Sequence, residues 1–316
     1  MNSHLQPLAG ILLVLAVVAA PGCGGSSKTL SNALGPRGSA SSGGQAGVAP
    51  ASTGTTLLFN HVFIVMEENH SYSSVIGNSS MPYLNSLASQ YGLATQYYGN
   101  THPSIGNYFM LTTGKIVTNN DSFSGTVSGD NVVAHLLTAG KTWKSYAEGL
   151  PYTGYTGGNT GSYLKRHNPF AYLSNVVTSS VQKLNLVPFT NFKTDLASGH
   201  LPNYTFIVPN ACNDAHSCSL ATADSWLKKN IAPLVANATF QQSGILFIIF
   251  DESYTSDTYH GGGHVAFVSV SGNGPKGYRS DTFFQHQSAL KATLQALGVT
   301  TFPGAASTAP NMTAFF

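Results

Sequence analysis

His61-Val-Phe-Ile-Val-Met-Glu-Glu-Asn-His70 and, far downstream, Gly244-Ile-Leu-Phe-Ile-Ile-Phe-Asp-Glu252 are the stretches whose reading decides the fold. Each is a short apolar run rich in Val, Ile and Phe that ends in an acidic pair, Glu67-Glu68 in the first and Asp251-Glu252 in the second. Continuous apolar runs of this length read as strands buried on both faces, the pattern of a parallel sheet. In open α/β sheets ligands bind beyond the carboxyl ends of such strands, where these acidic pairs stand. The chain has only 12 Asp and Glu in all, so four of them at two strand ends is a functional signal. Carboxylates packed together repel unless a cation neutralises them, and hard cations take oxygen ligands. A metal-dependent α/β enzyme follows.

Other candidate strands are 142–147, 204–208 and 264–270, and candidate helices are 81–91, 104–113, 131–139, 222–236 and 286–297. In the last helix Leu290, Leu294 and Leu297 share one face at i, i+4, i+7 spacing. Strands alternating with helices predict a central, mostly parallel sheet flanked by helices on both faces. The stretch 148–163, dense in Gly, Tyr and Thr, reads as a long surface loop of the kind that shapes substrate pockets.

Composition sets the limits. A chain of 316 residues with 42% hydrophobic content can bury a large core. Charged residues make up 8% and the net charge is +2, so there is no basic stripe, which argues against a nucleic-acid partner. Leu8 to Ala20 is an apolar run with the length of a signal-peptide core, ending at Ala20-Pro21-Gly22-Cys23. A small residue before Cys23 resembles the lipobox of bacterial lipoproteins, so a membrane tether through a Cys23 lipid and removal of Cys23 by ordinary cleavage are both open. Residues 1–23 are thus read as a leader. Residues 24–56, rich in Gly, Ser, Ala and Thr, are read as a flexible linker, and 57–316 as the catalytic domain. Export leaves Cys212 and Cys218 as the simplest disulfide.

Thr101-His102-Pro103-Ser104-Ile-Gly-Asn107 supplies the nucleophile candidate. Pro103 cannot lie inside a helix and Ser104 is a good N-cap, which puts its hydroxyl at the positive end of a helix dipole. Alone, Ser104 reads as a cap. In a chain that also carries two acidic pairs it reads as a metal-activated nucleophile.

The set Ile64-Val-Met-Glu-Glu-Asn-His-Ser71, Thr101-His-Pro-Ser104 with Asn107 and Thr113-Gly114, Lys165-Arg-His-Asn-Pro-Phe170, Asn213-Asp-Ala-His216 and Phe250-Asp-Glu252 resembles the bacterial phosphoesterase family of acid phosphatases and phospholipases C. That family belongs to the alkaline-phosphatase-like superfamily. The Ser104–Gly114 spacing is also similar to the nucleophile helix of nucleotide pyrophosphatases. The resemblance covers roughly 60–300. It implies an alkaline-phosphatase-like α/β fold and a divalent metal, identity open, held by Glu68, Asn69, Asp251 and Glu252. Strand alternation lets only one of Glu67 and Glu68 face the metal, and the family's Glu-Asn pair selects Glu68. It implies further that Ser104 is the nucleophile, that Asn107 donates to a phosphoryl oxygen, and that His167 and His216 bind phosphate or protonate the leaving oxygen. Asp214 would orient His216 or serve a second metal. His102 and His264, the latter after Gly261-Gly-Gly263, are substrate-binding candidates, and His286 matches a recurrent histidine. Asp224 and Trp226 read as structural. The implied activity is an exported phosphatase acting on a small-molecule or lipid phosphate ester, with phospholipase C as one alternative and an inactive binding protein on the same fold as another. No Gly-x-Ser-x-Gly elbow is present, which disfavours an α/β-hydrolase.

Overall fold

Among the described residues ten strands follow one another: β1 (His61–Glu67), β2 (Gly92–Ala94), β3 (Tyr97–Tyr98), β4 (Trp143–Ala147), β5 (Leu186–Pro188), β6 (Tyr204–Val208), β7 (Gly244–Phe250), β8 (Phe267–Ser271), β9 (Tyr278–Ser280) and β10 (Phe284–Gln285). The structure, a computed structural model, describes residues 58–316. The candidate leader, Cys23 and the Gly/Ser-rich stretch 24–56 lie outside the described residues.

Eight strands form one sheet in the order β5-β4-β6-β1-β7-β8-β2-β9. Strands β5, β4, β6, β1 and β7 are mutually parallel. Strand β8 runs antiparallel to β7 and to β2. It can do so because the chain returns from Phe250 to Phe267 through a loop without a helix, and an antiparallel neighbour needs no crossover. All seven residues of β7 are buried, so both faces of the sheet are covered, as the unbroken apolar run requires. Each Ile, Leu or Phe buried there contributes roughly 1.5–3 kcal/mol.

The helices lie close to their expected places: Pro82–Gln90, Ile105–Thr113, Val132–Thr138, Leu220–Val235 and His286–Ala296. Ile105–Thr113 is buried at every position and packs against His286–Ala296, so it is an internal helix and not an amphipathic surface one. Gly114 ends it in a left-handed conformation, φ 67°, and a Cβ there would stand 2.3 Å from the Pro303 carbonyl oxygen. Only glycine meets both demands. The unexpected elements are short or polar: three-residue and two-residue strands carry too few residues for a period to show, and Thr190–Ser198 buries only Phe192.

The register of β1 on β7 builds the site. His61 pairs with Gly244 and the ladder runs without a break to Glu67 opposite Phe250. The next residues on both strands, Glu68 and Asp251, therefore emerge side by side at the carboxyl edge of the sheet. The expected loop 148–163 does carry no helix or strand, and its first residues, Glu148 to Pro151, wall a cavity of about 1100 Å³ with Phe189, Lys193, Trp226 and Lys229. Ser104 and the four acidic-pair residues do not line that cavity.

Candidate active site

Ser104 stands immediately before the internal helix, with its side chain buried. Its Oγ lies 3.1 Å from Glu68 Oε2, 3.0 Å from Glu252 Oε1 and 3.4 Å from Asn69 Oδ1. A hydroxyl has one proton to donate, so it cannot serve three acceptors at once. Its backbone is helical (φ −46°, ψ −45°) and it makes no capping hydrogen bond, because the hydroxyl is turned into this oxygen cluster.

Asp251 completes the group. Its Oδ1 accepts the Asn69 amide N–H at 3.1 Å, and its Oδ2 is buried without a partner. Burial pushes the pKa values of Glu68 and Asp251 well above the usual carboxylate range, with repulsion from Asp251 adding to Glu68 and from Glu252 adding to Asp251. Glu252 is pushed up to about 7 by burial, against the Ser104 hydrogen bond that favours its ionised form. Three buried carboxyl groups around one hydroxyl, one oxygen orphaned, are the donor set a hard divalent cation takes. The residues present fit the metal that the sequence implies.

Asn69 reaches Ser104 although it follows Glu68 directly. Consecutive strand residues point to opposite faces, but Asn69 has φ 55°, a left-handed turn that asparagine tolerates, and this swings its carboxamide back beside Glu68. Glu67 takes the other direction. Both its carboxyl oxygens are fully buried without partners, and burial with repulsion from Asp214 and Asp224 raises its pKa well above the usual range.

Two groups hold Glu68. The Tyr108 hydroxyl, one turn along the helix from Ser104, donates to its Oε1. His167, in a 3₁₀ turn (Lys165–His167), sets Nε2 3.3 Å from the same Oε1 and Nδ1 3.1 Å from Asp214 Oδ2. Burial lowers the His167 pKa, and the Asp214 contact opposes that. Glu68, His167 and Asp214 also offer ligand atoms within 4.8 Å of one another, a second group able to hold an ion. Asp214 Oδ1 accepts the backbone N–H of His216 at 2.9 Å, so one carboxylate orients the His167 ring and fixes the backbone that carries His216. The loop that carries them is closed by the Cys212–Cys218 disulfide and holds Ala215 at φ 71°, a conformation costing about 1–2 kcal/mol in a residue with a Cβ.

The remaining predicted residues are placed differently. His102 sets Nδ1 2.6 Å from Glu252 Oε2 and Nε2 2.9 Å from the Asp257 carbonyl oxygen, which leaves neither ring nitrogen free. Asn107 accepts the Asn100 and Thr101 amide N–H groups at 2.8 and 3.2 Å and donates to the Thr101 carbonyl at 2.8 Å, bracing the loop that carries His102. His264 stacks on Tyr72 with ring centroids 4.3 Å apart and contacts the Thr95 carbonyl at 3.1 Å; burial lowers its pKa. His286 is buried between the Tyr97 hydroxyl (2.9 Å) and the Asp251 carbonyl (2.6 Å), and burial lowers its pKa to about 4, so a neutral ring fastens the backbone of Asp251. Asp224 accepts the Tyr83 and Leu84 N–H groups and so caps the helix Pro82–Gln90, a structural role. Tyr108 gave no sequence signal beyond lying four residues after Ser104, the spacing of one helix face.

Residues 78–300 match the Phosphoesterase family. The acid phosphatase of Aspergillus fumigatus is 34% identical over 254 residues, covering 77% of this chain and 56% of that protein. The phosphatidylinositol-3-phosphatase of Mycobacterium tuberculosis is 36% identical over 210 residues, covering 66% of this chain and 67% of that protein. The chain spans 56% of the Aspergillus protein and likewise 56% of the probable acid phosphatase of Kluyveromyces lactis. Among solved structures, a protein in the alkaline phosphatase superfamily from Vibrio parahaemolyticus superposes with a TM-score of 0.55 at 12% identity over 80% of this chain and 70% of that one. The lipoteichoic acid synthase LtaP of Listeria monocytogenes superposes with a TM-score of 0.54 at 10% identity over 77% and 72%. At such identities the likeness is one of fold. The chain belongs to the Phosphoesterase family and is built on the fold of the alkaline phosphatase superfamily.

Proposed function

We propose that the chain hydrolyses phosphoric esters, phosphomonoesters foremost, with Ser104 as the nucleophile and a divalent cation as cofactor. The observation that carries this reading is the buried Ser104 hydroxyl within reach of oxygens from Glu68, Asn69 and Glu252. The relatives named acid phosphatase and phosphatidylinositol-3-phosphatase support the ester class.

Glu68, Asn69, Asp251 and Glu252 would hold the cation, which supplies positive charge that favours the Ser104 alkoxide and neutralises the transferred phosphoryl group. Ser104 Oγ attacks phosphorus in line as its proton passes to solvent, the ester bond breaks, the ester oxygen takes a proton from solvent and leaves as the alcohol, and a phosphoserine forms. Water then attacks phosphorus, its proton passes to Oγ as that bond breaks, and inorganic phosphate leaves. Tyr108 and His167 keep Glu68 aimed at the serine, and His286 fixes Asp251 through its carbonyl. His216 faces Arg166, a donor only, with Nε2 at 3.0 Å, so Nε2 carries a lone pair. Burial and the neighbouring His167 and Arg166 lower its pKa, and the neutral imidazole, its lone pair engaged by Arg166 and its Nδ1 3.0 Å from the Ser217 hydroxyl, holds the guanidinium in place. Asn107 has one amide hydrogen not given to Thr101, and that is the one available to a phosphoryl oxygen. His102 acts by seating Glu252, and His264 is stacked between Tyr72 and Tyr98.

Export is part of the same proposal. The Cys212–Cys218 disulfide supports an oxidising compartment, and Cys23 is the candidate lipid anchor. The test is hydrolysis of a chromogenic phosphomonoester and of its phosphorylcholine diester by wild-type and Ser104→Ala protein, with and without chelator. Chelator-sensitive monoester turnover, reduced roughly 10³-fold or more by Ser104→Ala while bound metal is retained, is expected. Turnover confined to the diester would replace the phosphatase with a phospholipase C. Unchanged turnover in Ser104→Ala would remove the serine from the mechanism, and metal binding without turnover of either ester would favour a binding protein.

A further inference from the structure

Ser104 has left a post empty. A serine before a helix ordinarily accepts one of the first free N–H groups, and here its hydroxyl is committed to the carboxylate cluster. The Gly106 and Asn107 N–H groups that such a cap would take are held by the Pro103 and Ser104 carbonyls, and the donor left is the Ile105 N–H, one residue beyond the nucleophile. Asp121, in the loop between Ile105–Thr113 and Val132–Thr138, supplies the acceptor: its Oδ1 lies 3.2 Å from Ile105 N. Its second oxygen, Oδ2, stands 3.3 Å from Arg166 Nε. Arg166 in turn reaches His216 Nε2 with Nη2 at 3.0 Å, and is followed in the chain by His167, which touches Glu68. One carboxylate thus joins the start of the nucleophile helix to an arginine that contacts a site histidine.

We infer that Asp121 is a positioning residue: it fastens the first N–H of the nucleophile helix and holds the Arg166 guanidinium beside His216, where its free N–H groups grip the phosphoryl oxygens of the substrate. The inference rests on Ser104 being the phosphoryl acceptor. The chemistry suits the parts. A guanidinium presents several N–H donors in a fixed plane, and a carboxylate 3.3 Å from Nε attracts it by charge and leaves the other two nitrogens to other acceptors. A carboxylate at the helix start also suits the positive end of the dipole. Asp121 and Arg166 are both largely shielded, at 32% and 16% side-chain exposure, so their contact is not a fully hydrated surface pair.

A bystander carboxylate at the mouth of a site for anionic substrates would act in the opposite sense, by repelling them. That gives the test its direction. Metal-loaded protein carrying Asp121→Ala, Asp121→Asn, Arg166→Ala or Asp121→Ala with Arg166→Ala is compared with wild type for KM and kcat on a phosphomonoester and for competitive inhibition by inorganic phosphate. Asp121→Ala removes the charge beside the guanidinium and the charged acceptor of the Ile105 N–H, and a hydrogen bond to a charged group corresponds to roughly 10–100-fold, so the variant is expected to weaken phosphate binding about tenfold and to raise KM alike. Asp121→Asn, which keeps an acceptor for Ile105 and loses the charge on Arg166, is expected to fall between. The double variant is expected to lose no more phosphate affinity than Arg166→Ala alone, since the two residues act through one contact. Tighter phosphate binding in either Asp121 variant, unchanged binding, or full additivity in the double variant would overturn the inference. Should Asp121→Ala not fold, Asp121→Asn decides it by the same readings. Calorimetric phosphate binding in a Ser104→Ala background reads Arg166 and Asp121 without turnover, so failure of the serine mechanism is distinguished from failure of this inference.

Discussion

Exchanging Glu67 for Gln changes how stability depends on pH, and the sign follows from burial. Glu67 is fully buried, neither carboxyl oxygen has a partner, and burial with repulsion from Asp214 and Asp224 holds its pKa well above the ordinary value of 4.5. In the unfolded chain the same side chain ionises near that ordinary value. Above it, the folded protein keeps a proton that the unfolded chain has released. Stability from this group is therefore complete below the unfolded pKa, declines as pH rises, and levels off once the folded pKa is passed. One retained proton gives about 1.4 kcal/mol per pH unit. For a chain of this size that is roughly 3–6 °C in Tm per pH unit. The assay is urea unfolding of wild type and Glu67→Gln at half-unit steps from pH 5 to 6.5, with saturating divalent cation so that Glu68, Asp251 and Glu252 titrate alike in both. The wild type is expected to lose stability more steeply than the variant, by a slope that approaches one proton's as the unfolded carboxyl becomes fully ionised. Parallel lines would refute the reasoning, since Glu67 would then be ionised or paired in the fold. The functional counterpart is equally sharp: Glu67→Gln keeps turnover and Glu68→Gln loses it, because Glu68 is the one whose oxygen meets Ser104.

Tyr108→Phe removes the hydroxyl that donates to Glu68, and kcat is expected to fall roughly tenfold, a hydrogen bond to a charged group being worth about 1.5–3 kcal/mol; steady-state rates at saturating metal check it. Metal removal should destabilise more at pH 7.5 than at pH 5, because the buried carboxyls of the metal-free protein have raised pKa values and cost stability as pH rises. Glu252 alone, between 4.5 and about 7, accounts for about 3 kcal/mol, and thermal melts with and without chelator at the two pH values read the difference. Replacing Cys212 and Cys218 together by Ser opens a short loop and should cost about 2 kcal/mol on loop entropy, with a further drop in turnover because Asp214 and His216 lie between them; unchanged kinetics would show that the loop keeps its shape without the bridge.

Much of the frame is legible in the residues. The unbroken apolar runs of β1 and β7 announce strands buried on both faces, and Pro103-Ser104 announces a helix start, since these are local steric and burial rules. The edge strands Gly92–Ala94 and Tyr278–Ser280 carry no such signal: at three residues each, pairing with a neighbour and not their own pattern makes them strands. At the site, the proposed ligand residues and the proposed nucleophile could be named from motifs, whereas Tyr108, Asp121 and the bracing role of Asn107 could not, because each depends on what a side chain meets across space.

The sequence by itself determined that two acidic pairs end two buried strands, that a serine opens a helix, and that the chain has the strand and helix order of an α/β protein, because burial periodicity, proline geometry and capping act within a few residues. Only the tertiary structure decided that β1 lies beside β7 in a register that brings Glu68 level with Asp251, and that Ser104 reaches oxygens 36 and 148 residues away. It also settled which of the two adjacent glutamates turns to the serine, through the left-handed backbone at Asn69. Strand order and register are chosen by packing of the whole core, and no local stretch carries that choice.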